Sequence, residues 1–357
     1  MNDLRTADFD YDLPDDLIAS KPSDKRDHSR LLVLDRSRRT IEHKHFYDIS
    51  DHLGSSDILV LNDTKVIPAR LIGKKTKSHA CRQAGGGKAE ILLLKKMSGN
   101  IWECMVFPYK RLKEGTQIDL GKFTAVIKKD LGDSRKAIEF FFEGDFDSLL
   151  KEIGRIPLPP YIVSKLTEAE STDPFLLERY QTVYAEKAGA SAAPTAGLHF
   201  TPELLAGLKD KGVEIAYITL HTGMGTFKPV TADMVKDHKM ASEEYEITAE
   251  TASKINSALK NGKRPVAVGT TVTRCLEDCL RKNGSIVPIK DSADIFIYPP
   301  FDFKVVKGLI TNFHFPKSTL LMLVSAFAGK GFILEAYREA IKERYRFFSF
   351  GDAMMIL

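Results

Sequence analysis

The 357-residue sequence is poor in cysteine, has a single tryptophan, lacks a long apolar run and carries almost no excess of charge. Four cysteines in so long a chain cannot form the disulfide framework of a small secreted protein, and they predict a reducing compartment. The longest apolar run, residues 320–328, is about half the length a bilayer span requires, so no membrane association is expected. Residues 1–12 are polar and acidic and lack the basic start and apolar stretch of a signal peptide. A cytoplasmic location is the expectation. The balance of 52 Lys+Arg against 48 Asp+Glu, a net of +4, does not by itself mark a nucleic-acid binder.

What is present is an ordinary globular composition, 43% hydrophobic, which excludes disorder and collagen-like repeats. The length predicts two domains, or one large domain with an insertion. Residues 31–34 and 58–61 are short continuous apolar runs, as in strands buried on both faces of a parallel sheet. Residues 15–20, preceded by Pro14, predict a short helix. Between residues 66 and 144 the pattern changes to closely spaced strands: 90–94, 101–107, 116–120, 123–128 and 136–142, punctuated by Gly, Asn and Asp. That pattern reads as a small antiparallel barrel or sandwich. The proline-rich stretch 154–160 then returns the chain to alternating strands and helices. Helices are expected over 201–211, 248–260, 272–282, 318–328 and 332–343, and strands over 213–220, 265–268, 294–298 and 309–312. The expected fold class is α/β: a mostly parallel sheet domain of residues 1–65 and 151–357, with a β-barrel domain of residues 66–150 inserted.

Several motifs fail on inspection. Gly85-Gly86-Gly87-Lys88 lacks the Ser or Thr and the spacing of a phosphate loop and reads as a hairpin connection. Gly223-Met224-Gly225 follows a strand but lacks the third glycine of a dinucleotide turn. Cys275 and Cys279 have no further ligands at zinc spacing and read as core, and no metal is predicted. More informative are four segments that place small, hydroxyl and His residues where strands or loops run into helices: 189–200, 219–227, 268–274 and 310–319. In open α/β sheets ligands bind at the carboxyl ends of strands, so the four segments predict one shared pocket.

These segments also carry a resemblance. Ala192-Ala193-Pro194-Thr195-Ala196-Gly197-Leu198-His199-Phe200 and Tyr345-Arg346-Phe347-Phe348-Ser349-Phe350-Gly351-Asp352-Ala353-Met354 resemble the S-adenosylmethionine:tRNA ribosyltransferase-isomerase family of queuosine-pathway enzymes. Further matching strings lie at 59–70, 154–162, 178–184 and 318–326, so the resemblance spans nearly the whole chain. It implies a cytoplasmic monomer with no obligate protein partner. The implied reaction transfers the ribosyl part of S-adenosylmethionine, as substrate, onto the 7-aminomethyl-7-deazaguanine of a tRNA anticodon stem-loop. The ribose is isomerised to give epoxyqueuosine, and adenine and methionine are released. The sequence departs from the family at Thr222 and Met224, where Val and Ala or Gly are frequent, at Ala241, where His is frequent, and at Pro300, where Gly is usual. With Ala241 in place, a histidine there is not an indispensable base.

The chemistry needs proton transfers near neutral pH, which suits histidine. His199, His221 and His314 each lie in a junction segment and form the expected acid/base pool. Thr195, Thr226, Thr270, Thr271 and Asn312 are expected to bind ribose hydroxyls or adenine nitrogens, with Gly197, Gly223 and Gly225 permitting close backbone approach. Arg274 is a candidate for the methionine carboxylate, with a helix-surface ion pair as the alternative. Residues 66–150 hold 16 Lys+Arg against 10 Asp+Glu, a net of +6 that leaves −2 for the remainder. Lys74, Lys75 and Lys77 in this basic region are the expected RNA contacts. Two rival readings are an S-adenosylmethionine-dependent tRNA methyltransferase and a non-catalytic RNA-binding barrel protein.

Overall fold

The computed structural model describes residues 4–76, 86–132, 134–223 and 230–357. Successive side chains of a strand point to opposite faces, so an unbroken apolar run needs cover on both. The strand Asp57–Asn62 meets that condition, with all of its residues buried. Its Ile58 and Val60 enter one hydrophobic core, whereas Leu59 and Leu61 enter another. Leu32 and Leu34 of the strand Arg30–Asp35 divide from Leu31 and Val33 in the same way.

These strands belong to a nine-stranded sheet. Its order is Ile289–Ala293, Glu243–Ile247, Glu214–Leu220, Asp57–Asn62, Arg264–Val268, Gly308–Asn312, Ala353–Ile356, Arg30–Asp35 and Thr40–His45. The central run from Glu214–Leu220 to Gly308–Asn312 is parallel throughout. Both flanks contain antiparallel pairs, so the sheet as a whole is mixed. The helices Ala249–Lys260, Thr270–Asn283, Thr319–Ala328 and Lys330–Lys342 send Ile255, Leu276, Leu323 and Tyr337 into the first core. The helix Pro202–Asp210 and the 3-10 turn Phe46–Asp51 supply Leu205, Leu208, Phe46 and Ile49 to the second.

Helix starts follow the capping residues in the sequence. The Thr201, Thr248 and Ser318 hydroxyls accept bonds from the backbone N–H groups of Leu204, Thr251 and Leu321, which otherwise lack intrahelical partners. Cys275 and Cys279 are core residues, as expected.

A separate barrel closes in the order Arg135–Phe141, Ile101–Phe107, Lys88–Ser98, Arg70–Lys75, Gln117–Asp119 and Thr124–Gly132, antiparallel at every pairing. Closure removes the exposed edges that an open sheet of this size would present. The strands Arg70–Lys75 and Lys88–Ser98 pair antiparallel, and Gly85 of the glycine run between them lies outside the described residues. The α/β sheet and the barrel are therefore the fold class read from the sequence.

Three local expectations need correction. The segment 294–298 is not a strand. The last ladder residue is Ala293, and the carbonyl of Ile295 instead accepts from Arg274. Residues 15–20 form only a 3-10 turn, Asp15–Leu17. The barrel has a sixth strand, Arg70–Lys75, whose polar end concealed it.

The chain divides into two compact units. One comprises Met1–Lys65, Pro159–Ala188 and Ala193–Leu357, and the other Val66–Leu158 and Gly189–Ala192. Among the described residues no single helix is long and apolar enough to cross a membrane.

Within the barrel, Gly73 is required by close approach. A Cβ there would run into the Asp119 carbonyl oxygen and lie 2.6 Å from Leu120 Cδ2. Gly73→Ala is expected to destabilise the protein by about 1–3 kcal/mol, the usual range for overpacking. Chemical denaturation checks this, and an unchanged midpoint would contradict the packing.

Candidate active site

Parallel strands bring their carboxyl ends to one edge of a sheet. At this edge of the first unit lies a cavity of about 190 Å³. Its lining draws on all four junction segments, the second through Thr222 alone, and on the carboxy-terminal region. Thr195 and Ala196 come from the small-residue loop, and Gly269, Thr270 and Thr271 from the turn after Arg264–Val268. Thr311, Asn312 and His314 come from the end of Gly308–Asn312, and Phe348 and Ser349 from the carboxy-terminal segment.

The helix Thr270–Asn283 begins at this cavity. Its cap residue Gly269 has φ +97° and supplies no side-chain bond to the first turn. The uncapped N–H groups and the helix dipole favour negative charge here. One wall is aromatic: Phe315 stacks on Phe348 with ring centroids 3.5 Å apart, and Tyr161 meets both rings edge-on. The Tyr161 hydroxyl donates to Ser349 Oγ at 2.5 Å and accepts from the Ser349 N–H at 3.0 Å. Burial pushes its pKa up to about 12, so the phenol stays protonated.

Two of the expected histidines reach this network. His314 lines the cavity with Nε2 2.8 Å from Thr311 Oγ1, and burial drives its pKa down to about 3. His199 lies outside the lining, 4% exposed and stacked against Phe46. Its Nδ1 is 2.7 Å from Ser29 Oγ, and its Nε2 is 3.1 Å from Asn312 Nδ2. Burial, with help from Arg346, Arg179 and Arg26, lowers its pKa to about 3. Asn312 also donates to the carbonyls of Phe348 (3.1 Å) and Asp352 (3.4 Å). Its own Oδ1 is buried without a partner among the described residues. An acceptor left so costs about 1–3 kcal/mol.

The third histidine, His221, stands at a neighbouring strand end. Its Nδ1 is 2.8 Å from Thr64 Oγ1, and burial lowers its pKa against the opposing pull of Glu244 and Glu246. Beside Thr64, Asp63 accepts from Thr219 Oγ1 at 2.6 Å. Burial, reinforced by Glu186, raises the Asp63 pKa. The Asn62 amide bridges these strand ends by donating to the Leu220 carbonyl and accepting from the Leu220 N–H, both at 2.9 Å.

The cavity thus gathers Thr195, Thr270, Thr271, Asn312 and His314, but not His199, His221, Gly197, Gly223 or Arg274. Arg274 has a different task. Its guanidinium is buried in an ion pair with Glu243 and donates to the carbonyls of Ile295, Ala241 and Ala293. This is a buried tie rather than the helix-surface pair considered from sequence: four of its five N–H donors are taken, and the side chain is not part of the cavity lining. At Gly197 a Cβ would strike Tyr184 Oη, so the missing side chain makes room for a tyrosine. Gly223 donates its backbone N–H to Glu243. Gly225, Thr226 and Lys77 lie outside the described residues. Lys74 and Lys75 sit on the barrel strand Arg70–Lys75, with Lys74 exposed.

Thr222, Thr311, Phe315 and Ser318 lie in the junction segments expected to share a pocket but were not named singly, and sequence reasoning missed Tyr161, Phe348, Ser349 and Asp63. Aromatic residues read as core in a sequence, and Tyr161 follows a proline-rich linker. Their presence in the matching strings was the available signal. Among the described residues no group of three or more His, Cys, Asp or Glu could hold a metal ion.

Comparison with known proteins gives consistent findings. The family described as "Queuosine biosynthesis protein" matches residues 6–356. The S-adenosylmethionine:tRNA ribosyltransferase-isomerase of Halothermothrix orenii is 49% identical over 356 residues, covering 99% of this chain and 100% of that protein. The protein of the same name from Clostridioides difficile is 50% identical over 355 residues, again 99% and 100% of the two chains. The crystal structure of S-adenosylmethionine tRNA ribosyltransferase from Thermotoga maritima is 40% identical, with a TM-score of 0.53 over 98% of this chain and 100% of that one.

The buried neutral histidines set a pH dependence of stability. A histidine lowered to about 3 in the folded state takes up a proton on unfolding between that value and its ordinary pKa near 6.5. The stability it contributes is complete above about pH 6.5 and is lost as pH falls toward 3, at up to about 1.4 kcal/mol per pH unit for each group. Replacing His199 and His314 with Gln is therefore expected to flatten the unfolding free energy between pH 6.5 and 4, measured by urea titration. An unchanged slope would contradict their burial as neutral rings.

Proposed function

The chain belongs to the queuosine biosynthesis protein family, and from that membership we infer that it is an S-adenosylmethionine:tRNA ribosyltransferase-isomerase. It transfers and isomerises the ribosyl moiety of S-adenosylmethionine onto 7-aminomethyl-7-deazaguanine in tRNA, and releases adenine and methionine. Full-length identity of about half to proteins bearing that name is the observation that carries this reading.

The cavity at the carboxyl edge is the proposed seat of S-adenosylmethionine. Its hydroxyl and amide groups at Thr195, Thr270, Thr271, Thr311 and Asn312 suit a ribose and a purine, and the Phe315–Phe348 wall suits an apolar ring face. With Arg274 committed to Glu243, the methionyl carboxylate is assigned to the uncapped start of Thr270–Asn283. The reaction must remove a proton next to the sulfonium, protonate adenine as it leaves and keep the attacking amine neutral. His314, uncharged and on the cavity wall, is the proposed proton-handling group there. His221, lowered, and Asp63, raised, are the proposed pair at the adjacent strand ends. The anticodon stem-loop is the proposed RNA element, held through the basic region 66–150 that includes Lys74 and Lys75.

Mass spectrometry of precursor tRNA incubated with S-adenosylmethionine tests the reaction. Epoxyqueuosine and free adenine are expected; S-adenosylhomocysteine would indicate a methyltransferase, and unmodified tRNA a binding protein. Replacing Lys74 and Lys75 with Ala is expected to weaken tRNA binding and reduce the slope of log affinity against log salt by about 1.5, from roughly 0.7–0.9 per phosphate contact. An unchanged slope would remove that strand from the RNA interface.

A further inference from the structure

The arrangement around His199 fixes which atoms are donors. The Asn312 amide faces two backbone carbonyls, Phe348 O and Asp352 O, so its NH₂ group must point that way. The same NH₂, whose two hydrogens are shared among these three neighbours, faces His199 Nε2 at 3.1 Å, so that nitrogen is the unprotonated acceptor. A neutral imidazole has one N–H, so it resides on Nδ1 and donates to Ser29 Oγ at 2.7 Å. The Ser29 hydroxyl passes its own proton toward the Arg26 carbonyl at 3.4 Å. Both ring nitrogens are thereby occupied, and the ring is 4% exposed. His199 has no nitrogen left to exchange a proton with a substrate. Asn312, 2% exposed and part of the cavity lining, is left with one unused group, its Oδ1.

We propose that His199 is a positioning residue that locks the Asn312 amide so that Oδ1 accepts a hydrogen bond from a donor group on bound S-adenosylmethionine. This inference rests on the cavity holding that substrate. A reversed amide would set its oxygen against the Phe348 and Asp352 carbonyl oxygens, so these fix the orientation, and His199 Nε2 holds it by accepting from the same NH₂. The site therefore selects for a donor and disfavours an acceptor at this point. The adenine 6-amino group, a ribose hydroxyl and the methionyl ammonium share the required chemistry.

Calorimetric titration of S-adenosylmethionine without tRNA, run beside steady-state adenine release, tests the proposal. His199→Leu is expected to raise the Kd and the KM about tenfold, the effect of about 1.4 kcal/mol, with kcat within about threefold and the pH–rate profile unmoved. His199→Gln offers an amide that accepts from Asn312 and donates to Ser29, and should recover affinity to within about threefold. A hundredfold or greater fall in kcat at unchanged KM in both variants, or loss of a limb of the pH profile, would make His199 an acid or base and overturn the proposal. Unchanged affinity in His199→Leu would also overturn it.

A second set of titrations does not depend on how His199→Leu folds. Analogues lacking the 6-amino group, one ribose hydroxyl or the methionyl ammonium are titrated into the unsubstituted protein. One of them is expected to lose about tenfold in affinity, which identifies the donor, and Asn312→Ala should erase that discrimination. Equal affinity for every analogue, or discrimination that survives Asn312→Ala, would refute the role given to Oδ1. Adenine release by the unsubstituted protein decides the functional reading separately.

Discussion

Parallel pairing of the four central strands is the constraint on which the site depends. Asp57–Asn62, Glu214–Leu220, Arg264–Val268 and Gly308–Asn312 run in one direction, so the loops that leave them must emerge at one edge. The sequence places Thr64, His221, Thr270 and His314 immediately after these strands, and the shared direction makes neighbours of residues far apart in the chain. The edge is then tied laterally by side-chain amides. Asn62 continues the hydrogen-bond ladder to Leu220, and Asn312 joins Phe348, Asp352 and His199. Asp352 extends the tie through carboxylate bonds from the N–H groups of Arg30 and Arg346.

Low polarity decides the chemical state of what lies behind that edge. His199 and His314 are held neutral by burial, and Tyr161 is held protonated. His199 and Tyr161 are thereby fixed donors and acceptors rather than freely titrating groups, and they define a shape for hydrogen bonding. His221, lowered, and Asp63, raised, lie at adjacent strand ends apart from the cavity lining.

Much of this was legible in the sequence because period and punctuation are local. The apolar runs 31–34 and 58–61 became strands buried on both faces, and Thr201, Thr248 and Ser318 became helix caps. The segment 294–298 misled because Ile295 and Ile297 alternate like a strand and are buried, although they pack without ladder pairing. Among site residues, hydroxyls beside strand ends were found because their position follows from strand direction. The partner of Arg274 was not legible, because Glu243 is 31 residues away and no spacing rule predicts that pair. His199 looked like an acid or base because histidine in a junction motif carries no sign of whether its nitrogens are already occupied.

The central claim is that S-adenosylmethionine occupies the carboxyl-edge cavity of the first unit. Hydrogen–deuterium exchange with and without S-adenosylmethionine, read by mass spectrometry at peptide resolution, tests it most directly. Slower exchange is expected in peptides covering Thr195–Phe200, Gly269–Thr273 and Thr311–Phe315, with the barrel strands unaffected in the absence of tRNA. Protection confined to the barrel, or absent from all three segments at saturating substrate, would contradict the account.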